Sequence, residues 1–345
     1  MKKILFVWIL MTVIGLASAQ VGGLQSYTFL LMPNDARVGA IGGVNVSTAG
    51  KDVSMFVQNP AALTDSMSGK VSFTNRRLYA DVAYNHVNGA FNSKKIGGTW
   101  GVFLTAVSYG DFKEFDHLGN SLGTFRASEN VFGITKSHKI GYFHVGATAK
   151  FASSSIASYR SNALLLDVGG QFVHPTKGLI VGFTMKNAGF FTKHYREDLK
   201  GKLPFDVQLG ASYKFEHAPI RFSLQTHNLT RYDVQYLDPI RNVKIDEDGN
   251  DLLEEKKTSE KIARHIVIGT ELIFSEKFQA RIGYNHMMRK ELKAEPIKGG
   301  AGFSFGFMIK VYAFEFNFTR VYYHLVGGNT MLTVTADLNR FYTKK

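Results

Sequence analysis

The segment FDVQLGASYKF, residues 205–215, places Phe205, Val207, Leu209, Ala211, Tyr213 and Phe215 on one side of an extended chain, with Asp206, Gln208, Gly210, Ser212 and Lys214 on the other. Side chains of a strand point alternately to its two faces, so this is a strand with one wholly apolar face. Strands of soluble sandwiches usually run about 5–6 residues, whereas a tilted strand crossing a bilayer needs about 9–11. The longer figure fits here. Phe143, Val145, Ala147, Ala149 and Phe151 alternate in the same way with His144, Gly146, Thr148 and Lys150. So do Ala301, Phe303, Phe305, Phe307 and Ile309 with Gly302, Ser304 and Gly306, and Tyr312, Phe314, Phe316 and Phe318 with Ala313, Glu315 and Asn317.

Extending the pattern both ways gives about 14 strands, near 70–77, 81–91, 98–108, 124–136, 140–152, 161–174, 178–188, 205–215, 219–228, 262–274, 278–289, 299–309, 311–320 and 330–341. The fold class expected is all-β, a transmembrane antiparallel β-barrel spanning 70–345. Two places fit the pattern poorly: Trp100 to Ser108 is apolar on both faces, and Asp81 to Phe91 alternates weakly. Short turns are expected at Ser137-His138-Lys139, Pro175-Thr176-Lys177, Glu216-His217-Ala218 and Ser275-Glu276-Lys277, and long loops at 109–123, 189–204 and 229–261. Outer-membrane barrels keep short turns in the periplasm and long loops outside. That rule places both termini on the periplasmic side.

Ahead of the strands, residues 1–19 read as a secretory signal peptide: Lys2 and Lys3, an apolar core from Ile4 to Leu16, then Ala17-Ser18-Ala19. Residues 20–69 do not alternate. Within them, Asp35 to Leu63 carries Gly42-Gly43, a short helical run and Asn59-Pro60-Ala61, which punctuate a chain and do not continue a strand. A plug in or near the lumen is expected. Gly42, Gly43, Asn59, Pro60 and Ala61 are its structural motif, with Asn59 bonding local backbone and Pro60 fixing the exit into the first strand.

The chain holds 41 Lys+Arg against 28 Asp+Glu, a net charge of +13, and no cysteine. Disulfide frameworks, thiol catalysis and thiolate metal sites are thereby excluded. The basic residues are scattered, so the excess points to anionic lipid and lipopolysaccharide head groups, with no nucleic acid expected. Asp246 to Asp251 fails calcium-loop spacing, because Gly249 falls at position 4 and Lys257 at position 12. No two histidines stand at metal-ligand spacing. His144, His265 and His286 are read as strand residues facing the lumen or an interface. Glu271, Glu315, Asp167 and Asp206 are expected to face the lumen with Lys150, Lys214 and Arg281 as partners. Gly42-Gly43 lacks a following Lys-Ser/Thr. No nucleophile–base pair follows from the spacings, so no enzyme, cofactor or metal is expected. Tyr322-Tyr323 and Phe341-Tyr342 read as interfacial girdle. The longest loop, 229–261, opens with Tyr232, Tyr236, Leu237, Asp238 and Pro239 and is the candidate partner-contact surface.

Several features resemble the FadL-type outer-membrane superfamily, and within it the PorQ family of the type IX secretion system. They are Gly22-Gly23 with Tyr27 to Leu31, Asp35-Ala36-Arg37, Gly42-Gly43 and Asn59-Pro60-Ala61-Ala62-Leu63, ahead of the strands. The resemblance implies a non-enzymatic anchor holding a PorZ-like surface protein, beside the PorU sortase and the PorV carrier, while cargo is cleaved and joined to lipopolysaccharide. The other reading is a FadL-like transporter of hydrophobic small molecules. It would need an apolar pocket in the lumen and a movable plug, whereas the expected lumen faces are small, polar or charged.

Overall fold

The computed structural model describes residues 25–342 except 49, 80, 199, 236–242, 246–250, 254–256, 293–298 and 325–326. The expected leader, Gly22-Gly23, Tyr236 to Pro239 and most of the Asp246–Asp251 turn lie outside the described residues. The strands are β1 (Lys70–Arg77), β2 (Ala83–Ser93), β3 (Gly98–Phe115), β4 (Ser121–Ile140), β5 (Phe143–Ile156), β6 (Tyr159–Val173), β7 (Gly178–Lys193) and β8 (Asp206–Lys214). After these come β9 (Ile220–Thr226), β10 (Val243–Ile245), β11 (Asp251–Leu253), β12 (Ile266–Ile273), β13 (Phe278–Asn285), β14 (Phe303–Val311), β15 (Phe314–His324) and β16 (Gly327–Asp337).

Fourteen of them form one closed antiparallel barrel in which each strand pairs with its neighbours in sequence, and β1 closes on β16 from Lys70↔Asp337 to Arg77↔Thr330. β10 and β11 form a separate two-stranded ribbon between β9 and β12. Closure removes sheet edges, which is the condition for strands to cross a hydrocarbon layer.

Period-two patterning does what it does in a membrane and not in water. On β14, Phe303, Phe305 and Phe307 are 38%, 45% and 41% exposed, while Ser304 between them is 1% exposed. The same inversion holds around the wall: Phe132, Phe151, Leu164, Phe183, Leu209, Phe222 and Leu332 face outward, and Thr135, Thr148, Asp167, Thr184, Gln208, Gln225 and Thr333 are buried inside. Such an apolar belt belongs against lipid. No helix among the described residues is long and apolar enough to cross a membrane; the strands cross.

Several boundaries differ from expectation. Ser137-His138-Lys139 pairs within β4, and the turn falls at Gly141-Tyr142. The expected loop at 109–123 is largely strand, because β3 reaches Phe115 and β4 starts at Ser121, whereas 189–204 loses only its first five residues to β7, which reaches Lys193. Residues 262–265 are not strand, since a helix runs Thr258–Ala263, so His265 precedes β12. His286 opens a helix, His286–Glu291, where Asn285 accepts a hydrogen bond from the Met288 N–H and ends β13. β16 stops at Asp337 and a helix follows at Asn339–Tyr342. Phe341 packs there on Phe314 and Tyr312 and is not part of a strand-borne girdle.

Candidate functional site

Residues 25–69 run through the lumen. The segment starts at the long-loop end, where Gln25 bridges to Lys202 and the Ser26 N–H bonds the Lys202 carbonyl at 2.9 Å. It leaves at the short-turn end into β1. The described chain therefore begins at the opposite end of the barrel from where the short-turn rule put the N-terminus. Its elements are short: a 3-10 turn at Thr28–Leu31, helices at Ala36–Ala40 and Met55–Gln58, and 3-10 turns at Pro60–Ala62 and Asp65–Met67. Pieces this short leave much backbone unpaired, and the wall satisfies it.

Around the ring, wall side chains bond plug backbone. The Ala36 N–H donates to Thr333 Oγ1 at 2.9 Å, Thr319 Oγ1 donates to the Ala36 carbonyl at 2.5 Å, and Ser304 Oγ donates to the Ala40 carbonyl at 2.9 Å. Asn285 Nδ2 donates to the Gly42 carbonyl at 3.1 Å, and Gln225 Oε1 accepts from the Val46 N–H at 3.0 Å. Ser212 Oγ reaches the Ser47 carbonyl at 2.5 Å, and Gln171 Nε2 reaches the Val46 carbonyl at 2.9 Å. Gly42 and Gly43 turn the chain at φ 98° and 91°, a region that favours glycine.

Asn59 does more than bond locally. Its Oδ1 accepts from the Ala61 N–H at 3.0 Å, as expected of an Asn before Pro, but its Nδ2 also donates to the Val46 carbonyl at 2.8 Å and to Gly170 and Phe183 carbonyls of β6 and β7 at 3.3 Å. Pro60 opens a 3-10 turn well ahead of β1 and so does not set the strand's entry. It and Ala61 seat against bare wall: a Cβ built on Gly146 would stand 2.4 Å from the Pro60 carbonyl carbon, and one on Gly169 would stand 2.0 Å from Asn59 Oδ1. The Val46 carbonyl fits against Gly182 in the same way, at 2.0 Å. Only glycine permits such an approach.

One ion cluster ties plug to wall. Arg37 donates through Nε and Nη2 to the two oxygens of Glu271 on β12, at 2.8 and 3.0 Å, and through Nη1 to Asp52 at 2.9 Å. Glu271 also receives Arg221 of β9 at 2.8 Å and Arg281 of β13 at 3.1 Å. Asp35 caps the helix by accepting from the Arg37 N–H at 2.7 Å. Of the acidic and basic residues expected to partner one another in the lumen, Glu271 and Arg281 do pair, but the hub of their cluster is Arg37 of the plug. Lys150 and Asp167 also pair, at 2.6 Å, with Asn187 bonded to both side chains. Asp206 is buried and accepts from Gln208 and from the Asn228 N–H. Lys214 is exposed at its strand end, and Glu315 is half-buried against Asn317.

The lumen is not uniformly polar. Phe103 and Val107 of β3, Val131 of β4 and Leu165 of β6 face inward and pack on Tyr27, Phe29, Val53 and Phe56 of the plug. This explains why Trp100 to Ser108 is apolar on both faces: one meets lipid and the other meets the plug. Between the Phe29–Met32 turn and this wall remains a cavity of about 30 Å³, the room of one water.

At the long-loop end the β3–β4 hairpin projects beyond its neighbours, since β2 pairing stops at Ser108 and β5 pairing at Ala127. Seven residues of β3 and six of β4, at about 3.3 Å each, make a projection of roughly 20 Å. Phe112 stacks on Phe125 at 5.2 Å, Arg126 pairs with Asp111, and Phe115, Leu118 and Leu122 are 55%, 75% and 62% exposed at the tip. Tyr232 is exposed, with Lys261 Nζ 5.6 Å from its ring centre.

No protein-family model matches the chain, and no curated protein matches it. Solved structures it is similar to are outer-membrane β-barrels. The TodX monoaromatic hydrocarbon channel deltaS2 mutant shares 12% identity over 89% of this chain and 97% of that one, at a TM-score of 0.47. A Rh. blastica porin mutant shares 9% over 78% and 98%, at 0.33. Outer membrane phospholipase A from Escherichia coli shares 9% over 85% and 100%, at 0.30.

Proposed function

We propose that this chain is a non-enzymatic, plugged outer-membrane barrel that anchors a surface protein through its long-loop end. In keeping with the PorQ-family resemblance, the partner is a PorZ-like protein held beside the PorU sortase and PorV carrier. The seated plug carries this reading. Conduction requires a continuous path, and here plug backbone lies against bare glycine on β5, β6 and β7 with wall side chains bonding it around the ring. Docking requires exposed apolar surface on a rigid support, and the β3–β4 tip offers Phe115, Leu118 and Leu122. The candidate contact surface thus widens from the 229–261 loop to this hairpin.

The apolar cluster on β2 to β6 favours a second reading, a transporter of hydrophobic small molecules whose plug shifts to open a greasy path. Affinity isolation of the tagged barrel from outer membranes separates the two. The anchor reading expects a surface sortase complex to co-purify with wild type and to be lost from Leu118→Asp/Leu122→Asp, which stays a heat-modifiable barrel. Recovery of the barrel alone with bound hydrocarbon refutes the anchor and favours transport.

A further inference from the structure

The apolar belt is interrupted where the barrel closes. Along β15 the outward positions run Phe314, Phe316, Phe318 and then Arg320; along β1 they run Val71, Phe73, Asn75 and then Arg77. Both arginines are exposed, while their chain neighbours Arg76 and Thr319 are buried on the lumen side.

Register brings the two together. Thr330 of β16 pairs with Arg320 on one side and with Arg77 on the other, so the three side chains share one face. Paired residues stand about 4.5–5.5 Å apart, which sets the two arginine Cα atoms about 10 Å apart. Arg320 leans into that gap. Its Nη1 donates to Thr330 Oγ1 at 3.1 Å, and its Nε lies 2.8 Å from where a Cβ on Gly328 would stand. Gly328 is one step nearer the long-loop end than Thr330. The guanidinium has thus climbed towards the edge of the belt, as a cation on a lipid-facing wall does. With that head already over β16, Arg77 has one strand spacing of about 5 Å to cross to reach the same anion.

Nothing neutralises the pair from within. Neither guanidinium has a carboxylate partner among the described residues. β1 and β2 contain no Asp or Glu, and Glu315 and Asp337 of β15 and β16 lie at the short-turn end. Tyr79 and Tyr322 are exposed on the long-loop side of the arginines, and Asn75 and Asn85 bond each other at 2.7 Å beside them. Two forked cations without a counter-charge, at the top of an apolar wall, match a phosphate carried on acyl chains.

We propose that Arg77 and Arg320 form a site for the phosphate of an anionic membrane lipid, with Thr330 holding Arg320 in place. Lipopolysaccharide and phosphatidylglycerol both carry that group, and the test separates them.

The full chain in zwitterionic micelles is titrated with deep-rough lipopolysaccharide in one arm and with phosphatidylglycerol in the other. Phosphatidylcholine is the blank, and bound lipid is counted by native mass spectrometry. Saturable binding in either arm names the source; equal binding in both assigns the phosphate itself. Arg77→Leu/Arg320→Leu extends the apolar belt, so the barrel stays heat-modifiable, and should weaken binding about tenfold or more. Arg77→Lys/Arg320→Lys keeps the charge without the fork and should fall between. Arg160→Gln/Lys193→Gln removes the same charge from exposed positions on β6 and β7 and should change nothing. No saturable binding in either arm, equal binding by the leucine variant, or an equal loss in the β6–β7 variant overturns the proposal.

Discussion

Gly169 and Gly170 are adjacent on β6, and the same substitution at each should have opposite signs. A Cβ on Gly169 would fall 2.0 Å from Asn59 Oδ1 and 2.9 Å from Pro60 Cδ, whereas one on Gly170 meets nothing nearer than the His144 carbonyl at 4.0 Å. To reach even 3.0 Å, Asn59 must retreat by about 1 Å. It cannot do so alone, because Oδ1 holds the Ala61 N–H and Nδ2 holds the Val46 carbonyl. Overpacking costs about 1–3 kcal/mol, and each hydrogen bond lost adds about 1 kcal/mol. Alanine regains roughly 0.5–1 kcal/mol over glycine in a strand. Gly169→Ala should therefore destabilise the seated plug by about 2–3 kcal/mol, while Gly170→Ala is neutral or gains about 0.5 kcal/mol. Trypsin cleavage after Arg37 measures this, since Arg37 is buried and is reached only when the plug opens. With closing faster than cleavage, the rate follows the open population. Gly169→Ala should raise it by about 30-fold or more. Equal rates for the two variants would refute the close-seating argument.

Three further outcomes are expected. Glu271→Gln leaves Arg37, Arg221 and Arg281 around a neutral amide and should cost about 3–5 kcal/mol, read as a lowered midpoint of heat-modifiable migration; adding Arg37→Met should restore part of the loss, and strict additivity would deny the coupling. Gly182→Ala should resemble Gly169→Ala in plug cleavage, because its Cβ would meet the Val46 carbonyl. Finally, burial alone would raise the Glu260 carboxyl, but hydrogen bonds from Lys290 and His286 hold it below its ordinary value of 4.5. A depressed carboxyl stabilises above its unfolded pKa and loses that contribution as pH falls through the folded one. Hydrogen-exchange protection in 258–263 and 286–291, taken relative to the intrinsic exchange rate at each pH, should accordingly be highest near neutral pH and fall below about pH 4; protection that does not change with pH would sink the assignment.

The barrel was legible because lipid outside and plug inside impose period two on nearly every strand. Strand ends were less so. Pairing between β3 and β4 continues past the bilayer, where no apolar face is needed, so Tyr109 to Phe115 loses its periodicity without losing its ladder. The helix at His286 carried a readable sign in Asn285, a capping residue three before Met288. Of the lumen cluster, Glu271–Arg281 and Lys150–Asp167 were accessible because facing strands bring them together. Arg37 was not, since 234 residues separate it from Glu271 and only the plug's path joins them. The apolar half of the lumen was missed although Phe103 and Val107 alternate inward, because a two-faced apolar strand is also what a poor alternation looks like.

The plug also spans the place where the barrel closes. Thr333 of β16 accepts from the Ala36 N–H and bonds Thr74 of β1 at 2.7 Å, while Ser72 of β1 bonds Ser54 of the plug at 3.1 Å. The first and last strands are thus stitched to a common insert as well as to each other. A thread that enters at one mouth and leaves at the other cannot be slipped in sideways once the ring is shut. An insert seated before closure acts as a mandrel, setting the register of the final zip between β16 and β1.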